Sequence, residues 1–196
     1  AVATALNRQL TIISGGPGTG KTTVIRSIVS ALKHLDPNLR IAITAPTGKA
    51  TARLEDSFRQ DLRADLGPEI KTIHRVLGYG AGKRPRFNQM SRLPTDVLIA
   101  DEASMIDLSL ADALFSALPD TARLILVGDP DQLPSVNLGR LLTDITPPNT
   151  TARPLMPVLA SAQCRLTENF RFTEGASIHE LAEAPSRGPF AVGAAL

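Results

Sequence analysis

One run of eight residues, Gly15-Gly16-Pro17-Gly18-Thr19-Gly20-Lys21-Thr22, constrains this chain more than any other feature. It fits the spacing G-x-x-x-x-G-K-[ST] and stands between a short apolar run and a stretch of helical periodicity. Glycines let such a loop curl until successive N–H groups face one anion, and the helix that follows adds its dipole. In that arrangement Lys21 reaches the β- and γ-phosphates of a nucleotide, and Thr22 offers an oxygen to Mg²⁺. Gly15 to Gly20, Lys21, Thr22 and Thr23 form the binding stretch. A chance match in a chain of this size is on the order of one in a hundred from average residue usage. The loop works only where a buried strand feeds a helix, so it dictates an α/β fold.

The rest of the chain agrees. Short apolar runs alternate with helical periodicity, the signature of a mostly parallel sheet flanked by helices. Leu10 to Ser14, Ile41 to Ala45, Val97 to Asp101 and Leu124 to Val127 read as buried strands. A helix after the loop places Ile25, Ile28, Val29 and Leu32 on one face. A second spans Lys49 to Leu62 with Thr47 as N-cap. A third spans Leu108 to Leu118, capped by Asp107, with Leu108, Ala111, Phe115 and Leu118 inward. Two stretches break the rhythm. Gly78 to Pro94, rich in Gly, Pro and base, reads as an inserted hairpin or loop, and Thr146 to Pro157, with four prolines, as an irregular connection.

Composition narrows the class. The 196 residues suffice for one domain with a sizeable core, and the ends read as those of a piece cut from a longer protein. A single cysteine, Cys164, excludes a disulfide framework and fits a reducing, cytoplasmic setting. His34, His74 and His179 form no metal-ligand pattern, and no apolar run is long enough to span a membrane. The net charge of +2 says little about partners, but Lys83, Arg84, Arg86 and Arg92 around Phe87 form a candidate phosphate-contacting patch. A solvated polar loop explains that cluster equally well.

Two further motifs complete a nucleotide site. Val97-Leu98-Ile99-Ala100-Asp101-Glu102 is an apolar strand ending in two carboxylates, at the edge where doubly wound sheets bind ligands. Asp101 is placed to hold the Mg²⁺ shell, and Glu102 to deprotonate an attacking water. Downstream, Leu126-Val127-Gly128-Asp129-Pro130-Asp131-Gln132 is a strand followed by a turn whose Gln132 resembles the γ-phosphate sensor of helicases, an amide that can detect the third phosphate.

The order of Ala45-Pro46-Thr47-Gly48-Lys49-Ala50, Thr72-Ile73-His74-Arg75, Asp101-Glu102-Ala103-Ser104-Met105, Gly128-Asp129-Pro130-Asp131-Gln132 and Asn169-Phe170-Arg171-Phe172 resembles the motif order of superfamily 1 DNA helicases. The wording is most similar to the RecD-like group (superfamily 1B; exodeoxyribonuclease V alpha subunits), with Dda and TraI helicases related. The resemblance covers about Leu10 to Ala182. It implies a RecA-like P-loop NTPase fold, with residues 1–196 as the first motor domain and the second domain absent. It implies ATP and Mg²⁺ as cofactors, single-stranded DNA as partner and 5′-to-3′ movement. Assembly with RecB- and RecC-like subunits is also implied. Pro46, Thr47 and Lys49, with Thr72 and His74, match strand-gripping motifs; His74 also fits a core histidine. Residues 78–95 occupy the position of a strand-separating pin. Arg171 matches an arginine that neutralises transition-state charge, and Phe170 an aromatic that stacks on adenine; both phenylalanines flanking Arg171 also suit a core. The family's adenine-reading glutamine has no counterpart, since Gln9 stands too close to Gly15, and Pro185 interrupts an expected helix.

The leading expectation is a DNA-stimulated ATPase and helicase motor acting in double-strand break repair. A stand-alone RecD-like or TraI-like helicase, a P-loop switch NTPase that binds protein, and a binding module with an idle site are its rivals. The lack of an [NT]-K-x-D motif counts against guanine recognition.

Overall fold

The structure, a computed structural model, describes residues 1–59, 68–80, 84–132, 141–146 and 157–170. In chain order the elements are α1 (Val2–Asn7), β1 (Leu10–Gly15), α2 (Lys21–Leu35), β2 (Ile41–Ala45), α3 (Gly48–Arg59), β3 (Glu69–Thr72) and α4 (Ile73–Val76). There follow β4 (Val97–Ala100), a 3₁₀ turn (Ala103–Met105), α5 (Leu108–Ala117), β5 (Arg123–Gly128), α6 (Leu141–Ile145), α7 (Pro157–Ala160) and β6 (Gln163–Leu166). All six strands run parallel in the order β3-β2-β4-β5-β1-β6.

The sheet is buried on both faces, which is why its inner strands read as continuous apolar runs rather than alternating ones. One face carries Ile12, Ala42, Leu98 and Leu126 against α4, α5 and the 3₁₀ turn. The other carries Ile13, Ile43, Ile99 and Val127 against α2 and α3. Helix α2 buries Ile25, Ile28, Val29 and Leu32, the face read from its spacing. Helix α5 is turned from the expected face. It buries Ala111, Leu114 and Ala117, while Leu108 and Phe115 are exposed. Small residues at 111 and 117 let the helix lie close to the sheet, and that proximity outweighs the size of Phe115.

Residues 84–95 hold one antiparallel bridge, Asn88 to Ser91, around an exposed Met90. The Phe87 amide donates to the Leu77 carbonyl at 3.1 Å, and Phe87 packs on the core. Arg92 leaves the supposed basic patch altogether. Its guanidinium donates to the carbonyls of Ser116 and Leu118 at the end of α5. Arg86 stacks over Phe87 at 5.4 Å, Arg84 is exposed, and Lys83 lies outside the described residues.

A candidate nucleotide site at the carboxyl edge of the sheet

The loop after β1 is built as its glycines demand. Gly18 and Gly20 take φ of 84° and 79°, a left-handed conformation that side chains resist. A Cβ on Gly15 would stand 2.6 Å from Thr19 Oγ1 and 3.0 Å from Leu166 Cβ, so this turn admits no larger residue. Thr19 Oγ1 donates to the Gly16 carbonyl at 2.9 Å, tightening the curl. Lys21 Nζ donates to the carbonyls of Gly15 and Gly16 at 2.6 and 2.8 Å. The ammonium is therefore held beside the concave loop, at the start of the 15-residue α2.

Two strands away, β4 delivers the carboxylates. The Asp101 amide still pairs with the Thr44 carbonyl at 2.8 Å, which fixes it to the sheet. Burial pushes the Asp101 carboxyl above its ordinary range, with the Glu102 charge adding to the rise; the Glu102 amide and Lys21 pull the other way. That amide donates to Asp101 Oδ1 at 2.9 Å. Glu102 is the one described non-glycine residue with positive φ, at 52°. Such a conformation costs about 1–3 kcal/mol and persists only where surrounding contacts enforce it.

The enforcing contact is at Gly128, the last residue of β5. A Cβ there would lie 2.7 Å from Leu142 Cδ2 and 3.2 Å from the amides of Ala103 and Ser104. The turn after Glu102 thus presses on bare backbone. Beyond it Asp129 is buried and accepts the Asp131 amide at 3.1 Å, while the Gln132 amide donates to the Asp129 carbonyl. From the far side, the segment after β6 closes on the loop. The Phe170 amide donates to the Gly18 carbonyl at 3.0 Å, and its ring lies 3.7 Å from where a Cβ on Gly20 would be. Asn169 donates to the Pro17 carbonyl.

Lys21, Thr22, Asp101, Glu102, Gln132 and Phe170 all line one cleft of about 670 Å³. A second cavity of about 620 Å³, lined by Val24, Leu166, Thr167 and Phe170, adjoins it. A third, also of about 620 Å³, lies at the amino end of β2 among Arg40, Lys71 and Arg75, and none of the residues read as nucleotide-binding lines it. Arg171 lies outside the described residues. Thr47 and Thr72 come together by another route, because Ala45 pairs with Thr72 across β2 and β3. Thr47 Oγ1 accepts the Ala50 amide and Thr72 Oγ1 the Arg75 amide, so both hydroxyls cap helices. Each keeps its proton to donate elsewhere. Pro46 is half-buried, and Lys49 and His74 are exposed. His74 rests against Tyr79 at 5.2 Å and is no core histidine. None of these five residues lines the nucleotide cleft.

Two polar residues of the cleft were given no role of their own by the sequence reading. Arg53, on an exposed face of α3, lines it. So does Ser104, whose buried hydroxyl has no hydrogen-bond partner. A curled loop with its lysine, a carboxyl raised by burial, and an unpartnered hydroxyl together fit a magnesium–triphosphate group.

A family model described as an AAA domain matches residues 1–138. Among curated relatives, the RecBCD enzyme subunit RecD of Mycobacterium tuberculosis is 42% identical over 158 residues. This chain belongs to the RecD-like group. The RecD-like match to that protein covers 74% of this chain and 28% of the relative. The RecBCD enzyme subunit RecD of Haemophilus influenzae is 36% identical, covering 96% of this chain and 35% of the relative. The ATP-dependent RecD2 DNA helicase of Deinococcus radiodurans is 36% identical over 83% of this chain and 20% of its own length. This RecD-like chain thus spans 35% or less of the length of each of the curated relatives named here. In fold it is similar to the Pif1 helicase of Candida albicans, with a TM-score of 0.60 at 23% identity, covering 93% of this chain and 42% of that structure. No described helix is long and apolar enough to cross a membrane.

Proposed function

We propose that this chain is the first motor domain of an ATP-dependent DNA helicase, binding Mg-ATP in the cleft and single-stranded DNA along the neighbouring strand ends. One observation carries the reading. Residues from segments far apart in the chain, 17–23, Asp101 with Glu102, Asp129 with Gln132, and Phe170, converge on one cleft where phosphate, cation and water chemistry are each provided for. Mg-ATP supplies the phosphoanhydride bond to be broken and the cation that offsets its charge. The loop amides and Lys21 bind the phosphates, and Thr22 with Asp101 holds the cation. Glu102 takes the proton of the attacking water, Gln132 senses the γ-phosphate, and Phe170 stacks on the base. Arg171 follows directly on Phe170 and serves as the charge-neutralising arginine.

The DNA track runs over Pro46, Thr47, Lys49, Thr72 and His74. Its support is the adjacency of β2 and β3, which sets the two motifs side by side at one sheet edge. Residues 78–95 act at the fork beside it. The RecBCD names of two relatives favour assembly with RecB- and RecC-like subunits in break repair, and the RecD2 relative favours a stand-alone helicase. Co-purification with such subunits decides between them.

The test is ATP turnover by the full-length protein, second motor domain included, with and without single-stranded DNA, alongside Lys21→Ala. Stimulation of at least tenfold by DNA, lost with Lys21→Ala, is expected. Turnover indifferent to DNA returns the switch-NTPase reading, and retained Mg-ATP affinity in Lys21→Ala removes the phosphate-loop assignment.

A further inference from the structure

Three buried hydroxyls among the described residues have no hydrogen-bond partner: Thr11, Thr44 and Ser104. Thr11 and Thr44 sit within β1 and β2, fully enclosed by the sheet's packing. Ser104 differs. It is 6% exposed, yet it lines the cleft with Lys21, Asp101 and Glu102. A hydroxyl shut away from water without a partner destabilises the fold that holds it, and native structures keep few of them.

The local backbone explains how Ser104 is held there. It follows Glu102, whose left-handed conformation throws the chain into the 3₁₀ turn Ala103–Met105. The turn is seated on Gly128, with the Ser104 amide 3.2 Å from where a Cβ would stand. Gly128 leads into Asp129 and Gln132, so Ser104 belongs to the end of the cleft where the carboxylates and Gln132 meet. The backbone of the serine is thus held between two strand ends, at the wall of the cleft.

We propose that Ser104 Oγ is a donor reserved for the nucleotide-bound state, finding its acceptor in the γ-phosphate or the water that attacks it. The proposal rests on the reading of the cleft as a Mg-ATP site. Ser104 acts there as a positioning residue. It satisfies an oxygen that neither the loop amides nor Lys21 serves, and it ties the strand end bearing Glu102 to the presence of the third phosphate. The pocket with two phosphates leaves the hydroxyl without a partner, as in the empty state.

This predicts an unusual pair of signs, read by thermal unfolding of the full chain. Without nucleotide, Ser104→Ala raises Tm by about 2–4 °C, the ordinary response to removing a modest destabilising group in a domain of this size. Thr44→Val, an isosteric loss of hydroxyl away from the cleft, does the same. With Mg²⁺ and a non-hydrolysable ATP analogue, affinity falls about tenfold for Ser104→Ala and is unchanged for Thr44→Val, the size expected for one hydrogen bond to a charged acceptor. Affinity for Mg-ADP is unchanged in both. Ser104→Cys, a near-isosteric weak donor, lies between serine and alanine and guards against a folding artefact.

Three results overturn the proposal: a lower Tm for Ser104→Ala without nucleotide, an unchanged affinity for the analogue, or an equal loss for analogue and ADP. Failure of the unsubstituted protein to respond to any nucleotide is distinct, because it removes the Mg-ATP reading itself along with this one.

Discussion

Strand β4 is bounded by two aspartates five residues apart, and they live in opposite conditions. Asp96, at the amino end, accepts the Arg40 amide at 2.8 Å and its Nε and Nη2 at 3.0 and 2.6 Å. Those hydrogen bonds hold its carboxyl below the ordinary range. Asp101, at the carboxyl end, is pushed above that range by burial, with a single backbone N–H as its described partner. One end of the strand is satisfied by its own chain. The other is buried with one backbone donor, next to a glutamate with positive φ and a serine hydroxyl without a partner. The contrast is between a carboxylate paired by its own chain and one held buried at the cleft, two residues of the same type flanking one strand.

The comparison breaks most visibly at Glu102. Glu102→Gln in the full chain should bind Mg-ATP normally and turn it over about 100-fold more slowly, the usual size of a general-base effect. Turnover within a few-fold of normal would move the base elsewhere and make the strained backbone unexplained.

The two aspartates give effects of opposite sign. With its folded-state carboxyl raised, Asp101 weakens the fold as pH climbs through the unfolded value near about 3.9, where the unfolded chain ionises first. Asp101→Asn should therefore raise Tm at neutral pH in metal-free buffer, by about 2–4 °C, and the gain should vanish below about pH 3. An unchanged Tm at neutral pH would mean that Lys21 compensates the buried charge. Asp96 works in reverse. Its lowered carboxyl stabilises above the unfolded value, and that contribution is lost as pH falls through the folded one. Asp96→Asn should lower Tm at pH 7 by no more than about 2–4 °C, given its solvent contact, and match the parent protein in acid. A drop that persists at low pH would assign the effect to packing instead.

The four inner strands were legible in the sequence because burial on both faces leaves a continuous apolar run, and Ile41–Ala45 is found where it was read. Thr47 and Asp107 cap their helices as expected, through the Ala50 and Leu110 amides. The outer strands were not legible. Glu69-Ile70-Lys71-Thr72 and Gln163-Cys164-Arg165-Leu166 are short, polar and half-covered, so their pairing partners rather than their own residues make them strands. The same holds for the site. Spacing alone placed Lys21, Asp101, Glu102 and Gln132, whose chemistry is tied to motif positions. Ser104 stood in a quoted motif but without a role, since a serine after two carboxylates reads as a turn residue until its hydroxyl is found buried without a partner. Arg53 was equally silent, because nothing in a helix's polar face says which arginine overlooks a cavity.

The strand order has a consequence of its own. β5 lies between β1 and β4, so the glycine loop after β1 and the strand that presents the carboxylates are held two inter-strand steps apart. Each step is about 4.8 Å in any hydrogen-bonded sheet, which makes the sheet a ruler with backbone graduations. Side-chain substitutions can change what is gripped at either mark. They cannot move the marks, so the size of group that fits between them is a property of the threading of the chain, and it is protected from mutation in a way that no single residue of the site can be.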